Sequence, residues 1–219
     1  MVQQKFDWQA IDTVILDLDG TLIDLYFDHR FWKKVVPQAY ADKFKLSVEK
    51  SRELIHRRYQ QVEFSMQWYC IDFWAKNLDL PLRDLLQKQH NYIKVRSDVY
   101  PFLQAARERR KKLILLTDSH PFSLAEKLKH CDLAPHFDLL LSSHQFNAPK
   151  VEQSLWQRLQ QFKPFDPSRT LFIDDTEAVL DSAKKFGIAY TIGVENPDST
   201  LADKSFERHF SVKNYRTLL

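Results

Sequence analysis

Asp17 and Asp19 stand two residues apart at the end of a short apolar, β-branched run, residues 13–18 (TVILDL), with Gly20 and Thr21 directly after. In an extended strand residues two apart share a face, so both carboxylates point the same way while Leu18 turns to the other. Two acids at the end of a buried strand are costly without partners. Side by side, each raises the other's pKa unless something positive lies between them. Gly20 lets the chain turn sharply at this point, with positive φ where the turn needs it. Further on, the adjacent acids Asp174 and Asp175 end another apolar run, Thr117, Asp118 and Ser119 end a third, and Lys150 stands in a loop after a fourth. Gathered at one place, Asp17, Asp19, Asp174 and Asp175 with the Thr117 hydroxyl and the Lys150 ammonium carry excess negative charge. A hard divalent cation with oxygen ligands, such as Mg²⁺, is the simplest relief.

Taken singly, most of these residues have plainer roles. Asp174, Asp175 and Thr176 fit the N-cap of a following helix, Thr117 and Ser119 fit an ordinary turn, and Lys150 is one of 32 basic residues. The combination points to a functional site, because each member falls at the end of a strand of the same kind.

The elements that must position these residues follow from the hydrophobic pattern. After the first run, strands are expected at residues 113–117, 137–141, 170–173 and 189–192, with amphipathic helices at 121–130, 151–162 and 177–186 between them. Short apolar strands alternating with helices indicate an α/β fold, a doubly wound parallel sheet. Ligands of such sheets bind outside the carboxyl ends of the strands, where the acids, Thr117 and Lys150 fall. The interval from residue 24 to 96 has no strand signal and no glycine but many aromatics at helical spacing, among them Phe31, Trp32, Tyr59, Trp68, Tyr69, Phe73 and Trp74. It reads as an inserted helical domain of about seventy residues over the sheet. The division is therefore 1–23 and 97–219 for the α/β core and 24–96 for the insertion. Most of the aromatics are expected in the insertion's own core, with a few facing a ligand. The chain after Asn196 reads as irregular and polar.

Composition excludes several classes. With 44% hydrophobic and 28% charged residues in 219 and a mean hydropathy of -0.45, the chain is a globular protein rather than a disordered or membrane-spanning one. The 32 basic and 29 acidic residues leave a net charge of +3, too balanced for a nucleic-acid surface. The basic run from Arg107 to Lys112 reads as a solvated helix C-terminus, where cations complement the macrodipole. The chain's three glycines, Gly20, Gly187 and Gly193, cannot build a GxGxxG or GxxxxGK[ST] phosphate cradle. Cys70 and Cys131 form no CxxC pair and are expected as free thiols. The histidines have no metal-ligand spacing, and His120 and His144, near the second and third clusters, are expected to be structural or solvated. Met1 to Ala10 carries Asp7 and glutamines where a leader would need an apolar segment, and the expected location is cytoplasmic.

The segment Asp17-Leu18-Asp19-Gly20-Thr21 resembles the DxDGT signature of the haloacid-dehalogenase-like (HAD) hydrolase superfamily. Thr117, Lys150 and Asp174-Asp175 fit its second, third and fourth motifs, and the insertion resembles its helical C1 cap. The stretches WYCIDFW, LLTDSHP, LFIDDTEAVLDSAKKFGI and VENPDS are further similar to those of the bacterial GMP/IMP 5′-nucleotidases of this superfamily. The resemblance implies a Mg²⁺-dependent phosphomonoester hydrolase, in its subgroup form acting on purine nucleoside monophosphates. It implies Asp17 as nucleophile and Asp19 as acid–base. Thr117, Lys150 and the main chain of Asp118 would lie on the phosphate. Asp17, Asp174, Asp175 and the main-chain carbonyl of Asp19 would hold the metal. One position departs from the pattern. In relatives the second-motif Thr or Ser is usually followed by Asn, whereas Asp118 stands here. The change is mild if only its N–H meets the phosphate and unfavourable if its carboxylate points inward.

Three other readings share parts of this pattern. A phosphatase or phosphomutase acting on a sugar phosphate or phosphoglycolate would use the same core. A receiver-type signalling module also combines Asp, Thr and Lys on a doubly wound sheet, but its phosphoacceptor stands alone at a later strand end, and no fitting acid ends the third strand here. A non-catalytic scaffold of the same fold would be expected to have lost Asp17, Asp19 or Lys150, and all three are present.

Overall fold

The computed structural model describes residues 7–219, so the first six residues of the stretch read for a leader lie outside it. Strands β1 (Thr13–Leu16), β2 (Lys112–Thr117), β3 (Leu139–Ser142), β4 (Thr170–Asp174), β5 (Tyr190–Val194) and β6 (Phe210–Val212) form one sheet in the order β3-β2-β1-β4-β5-β6, and all the pairings are parallel. Parallel strands covered on both faces read as continuous apolar runs, and Val14, Ile15 and Leu16 are completely buried. Val14, Leu16, Leu115 and Ile173 point into one layer with helix α6 (Val99–Glu108), whereas Ile15, Leu116 and Phe172 point into the other with α8 (Gln153–Phe162) and α9 (Glu177–Phe186). The period of two in strand side chains thus sorts a uniformly apolar sequence into two cores.

Two sequence expectations need correction. The chain after Asn196 is not wholly irregular, since β6 adds a sixth strand beside β5. It is three residues long at the sheet edge, with Ser211 between Phe210 and Val212, so it lacks the longer apolar run that marks the others. Arg107, at the end of α6, is also more than a solvated cation. Its guanidinium meets Asp138 at 2.8 Å and donates to the His136 carbonyl at 2.9 Å, tying the helix end to the start of β3.

Between β1 and α6 the chain is helical: α1 (Tyr26–Arg30), a π-helical turn (Phe31–Val35), α2 (Val36–Phe44), α3 (Val48–Gln60), α4 (Ile71–Leu78) and α5 (Leu82–Gln87). These helices bury a separate apolar cluster that includes Phe31, Ile55, Trp74 and Leu82. The chain leaves the sheet and returns to it side by side. Ile23 bridges Val95, the Asp24 N–H donates to the Lys94 carbonyl at 2.9 Å, and the Arg96 N–H donates to the Leu22 carbonyl at 3.0 Å. No helix among the described residues is long and apolar enough to cross a membrane.

Candidate active site

Strand register assembles the site. Leu16 lies level with Ile173 in β4, and the Asp17 N–H donates to the Ile173 carbonyl at 3.0 Å, so Asp17 emerges beside Asp174. Gly20 then turns the chain with φ +81°, and a Cβ at this position would stand 2.9 Å from the Asp175 carboxylate. Both the positive φ and the close approach restrict the position to glycine. The turn thereby lays the first acid pair against the second.

Lys150 closes the centre from the loop after β3. Its ammonium lies 2.5 Å from Asp17 Oδ1 and 2.6 Å from Asp174 Oδ2, with all three residues nearly fully buried. Burial, and then the neighbouring Asp174, Asp19 and Asp175, push the Asp17 carboxyl well up against the pull of Lys150. Burial likewise pushes Asp174 up to about 6. Burial alone would lower the Lys150 ammonium, but Asp17, Asp174 and Asp118 more than reverse this and hold it well above its usual range. The carboxylates thus outnumber the cation between them. Ligand atoms of Asp17, Asp174 and Asp175 all lie within 4.8 Å of one another. An excess of hard, negative oxygen donors at this spacing fits a divalent metal such as Mg²⁺.

Asp118 does not aim its charge freely into the site. Its carboxylate accepts the Lys150 main-chain N–H, at 3.0 Å to Oδ1, and so holds the loop that delivers the ammonium. Thr117 is buried, and its hydroxyl accepts the Ser119 N–H at 3.0 Å. The capping role considered for Asp174, Asp175 and Thr176 is not what their side chains do. Thr176 sits at the N-cap of α9 without a capping bond from its side chain, its hydroxyl donating instead to Asp175 Oδ1 at 3.2 Å, while Asp174 accepts the Thr176 N–H and Asp175 meets Lys204 at 3.1 Å.

Asp19 is separated from this cluster at the side-chain level. Its Oδ1 receives Lys127 Nζ at 2.6 Å, and the same ammonium meets both oxygens of Asp28 at 2.8 and 2.9 Å. Neither Lys127 nor Asp28 belongs to a motif. The signal in the sequence was a lysine three residues after Leu124, on the buried face of α7 (Pro121–Lys129), where helical spacing calls for an apolar residue.

Above the sheet edge lies a cleft of about 720 Å³ between the acids and the helical segment. Trp32, Tyr59, Trp68, Tyr69 and Trp74 line it, so five of the seven aromatics singled out in the sequence reach the cleft and fewer are purely internal than expected. Tyr59 packs edge-on against Trp32, Trp68 and Trp74, and its buried hydroxyl has no partner among the described residues. Lys33, Arg52 and His56 supply cations or donors on the same wall. His120 and His144 do not line it. His120 caps α7 by accepting the Phe122 N–H, and burial lowers His144 to about 4.

The sequence pattern described as haloacid dehalogenase-like hydrolase matches residues 11–187. The chain is 44% identical over 212 residues to the GMP/IMP nucleotidase YrfG of Escherichia coli (strain K12), covering 97% of this chain and 96% of that one. It is 23% identical to the phosphorylated carbohydrates phosphatase of Thermotoga maritima, covering 84% and 85% of the two chains. The crystal structure of a HAD phosphatase from Thermococcus onnurineus shares the fold, with a TM-score of 0.80 at 21% identity over 95% of this chain and 96% of that one. A family pattern over residues 11–187, together with 44% identity along nearly the whole chain, settles the family: this chain belongs to the haloacid dehalogenase-like hydrolases.

Proposed function

We propose that the chain is a Mg²⁺-dependent phosphomonoester hydrolase that acts through an aspartyl-phosphate on Asp17, with purine nucleoside 5′-monophosphates of the GMP and IMP type as its preferred esters. The observation that carries this reading is the Lys150 ammonium wedged between Asp17 and Asp174 at the floor of a cleft large enough for a nucleotide. The likeness to the GMP/IMP nucleotidase supports the choice of ester. In this reading residues 24–96 act as a cap on a core of residues 1–23 and 97–219. The substrate is a small molecule rather than a nucleic acid or membrane, and the site of action is the cytoplasm.

An Asp17 carboxylate oxygen attacks phosphorus, an O–P bond forms, and the ester O–P bond breaks. Asp19 gives its proton to the departing ester oxygen, then takes one from the water that attacks the aspartyl-phosphate, returning free Asp17 and inorganic phosphate. Lys150 and Thr117 bind the equatorial phosphoryl oxygens, where charge must be offset in the transition state, together with the Asp118 N–H. Asp17, Asp174, Asp175 and the Asp19 main-chain carbonyl would hold Mg²⁺, which when bound neutralises and orients the phosphoryl group.

The cap wall supports a purine. Aromatic faces such as Trp32 and Trp68 offer stacking for a flat base. A 6-oxopurine presents O6 and N7 as adjacent acceptors, the pattern a guanidinium reads with two parallel bonds. The Arg52 side chain, on α3, has no hydrogen-bond or ion-pair partner among the described residues and lines the cleft. The test is Mg²⁺-dependent phosphate release from GMP, IMP, AMP, UMP, phosphoglycolate and sugar phosphates, with Asp17→Asn as the blank. GMP and IMP are expected to lead. A profile led by a sugar phosphate would overturn the purine assignment and keep the phosphatase, and silence across the panel would overturn both.

A further inference from the structure

We propose that Lys127 is a positioning residue for the acid–base carboxylate of Asp19, with Asp28 as the anchor that fixes Lys127. The inference rests on the reading of Asp19 as the group that protonates the leaving oxygen.

Lys127 is completely buried, and taking an ammonium out of water is costly unless its hydrogen bonds are met. An ammonium has three N–H donors. The three contacts of Lys127 Nζ account for that number: one to Asp19 Oδ1 at 2.6 Å and two to Asp28, at 2.8 and 2.9 Å. The division is unequal in a useful way. Asp28 spends both oxygens on the ammonium and fixes where it sits, while Asp19 commits only Oδ1 to it. The side chain of Lys127 also passes over the buried Phe27 ring, 5.3 Å from its centre, which further restricts it.

The three residues come from three parts of the chain. Asp19 is on the turn after β1, Lys127 is on α7 of the core, and Asp28 is on α1 of the helical segment. Helix α1 is itself held to the core beside this contact, since His29 meets Asp198 at 2.6 Å. The Asp28–Lys127 pair therefore has a rigid seat. A proton donor works only within hydrogen-bond reach of the atom it serves. Asp19 precedes a glycine turn, so a side-chain contact is what restricts its rotamer. Lys127 supplies that contact, and Asp17 needs none from it because Lys150 already holds it.

The experiment exploits the leaving group. An alkoxide leaving from a nucleotide needs a proton, whereas 4-nitrophenolate leaves without one, and kcat/KM reports only steps up to phosphoryl transfer. Lys127→Met, Lys127→Arg, Asp28→Asn and Asp19→Ala are measured with GMP and with 4-nitrophenyl phosphate in Mg²⁺. Asp19→Ala is expected to lose on the order of 10²-fold or more on GMP and far less on the aryl ester. Lys127→Met should reproduce the same selectivity with about a tenfold or larger loss on GMP, Lys127→Arg should recover most of it, and Lys127→Met should add nothing once Asp19 is alanine. Should Lys127→Met fail to fold, Asp28→Asn, which keeps the size of the anchor and one acceptor, carries the same comparison. Equal losses on both esters in the Lys127 and Asp28 variants, or an additive loss in the Asp19→Ala background, would overturn the positioning role. Equal losses in Asp19→Ala alone would overturn the acid role beneath it, and the proposal with it.

Discussion

Lys150 serves the site with two different groups, its ammonium between Asp17 and Asp174 and its main-chain N–H on the Asp118 carboxylate. That second contact explains how an acid is accommodated where relatives usually carry Asn. A carboxamide oxygen accepts the same N–H, so Asp118→Asn should keep the loop in place while removing one negative charge from beside the phosphate. The expected outcome is unchanged folding and a KM for the ester lower by a few-fold, about what one partly screened charge at this range provides. Asp118→Ala instead leaves the Lys150 N–H unpaired in a buried place, which costs about 1–3 kcal/mol and should lower both the melting temperature and kcat. A rise in KM for Asp118→Asn would mean that the carboxylate serves the substrate rather than the loop. Gly20 provides a second test at this scale. Gly20→Ala combines positive φ with a Cβ 2.9 Å from Asp175, and it should reduce kcat by tenfold or more while costing roughly 1–3 kcal/mol. Wild-type activity in that variant would exclude the close packing of the two acid pairs.

Helix α3 illustrates how an element turns spacing into a surface. Arg52, Ile55, His56 and Tyr59 recur at i, i+3, i+4 and i+7 and so share one face. Ile55 is buried in the helical cluster, and all four residues border the cleft. Upstream, the π-helical turn at Phe31–Val35 adds Trp32 and Lys33 to the same wall, in keeping with the use of such turns at functional sites. If this face reads the base, Arg52→Ala should raise KM for GMP and IMP by about tenfold, the worth of a good bidentate pair, and leave 4-nitrophenyl phosphate hydrolysis unaltered. Equal weakening on all esters would assign Arg52 to general attraction of anions. The same scale shows what the sequence could reveal. Strands β1, β2 and β4 were legible because apolar β-branched runs need no partner to be recognised, and the gathering of Asp17 and Asp174 at one edge followed from their places at strand ends, whereas the roles of these acids and of Lys150 came from the family resemblance. Strand β6 was not legible, because three residues at a sheet edge are specified by the neighbour they pair with. The aromatics of the insertion were legible as helical, yet their division between core and cleft depends on how the helices pack, which spacing alone does not determine. Lys127 and Asp28 lie 99 residues apart, and only the folded chain brings them to Asp19.

At the scale of the whole molecule, the parallel sheet concentrates charge at one edge, and this couples stability to pH. Asp174 is pushed up to about 6 in the folded chain against 3.8 for an ordinary aspartate, and Asp17 is also pushed well up, burial being the largest cause in both. The folded state therefore holds protons that the unfolded chain has lost. The stability that these groups contribute is complete below about pH 4 and is lost as pH rises through 6 and beyond. Asp28, raised to about 7 by burial and by Asp19, acts in the same direction, while burial lowers His120 and brings His144 down to about 4, which acts in the opposite direction below pH 6.5. A bare melting curve would mix these opposing contributions. The rise in melting temperature on adding Mg²⁺ separates them, because His120, His144 and Asp28 are common to both conditions while Mg²⁺ competes with protons for Asp17 and Asp174. The shift should be near zero at pH 4.5, grow through pH 6 and level off above pH 7. With metal at a hundred times its Kd, the plateau corresponds to about 2.7 kcal/mol, or roughly 5–10 °C for a chain of this size. Asp174→Asn should lower the plateau and move the midpoint, since it removes one ligand and one competing proton together. A Mg²⁺ shift that is equal at pH 4.5 and pH 8 would place the ion away from Asp17 and Asp174, and with it would fall the view that excess carboxylate charge at the sheet edge is what selects a divalent cation.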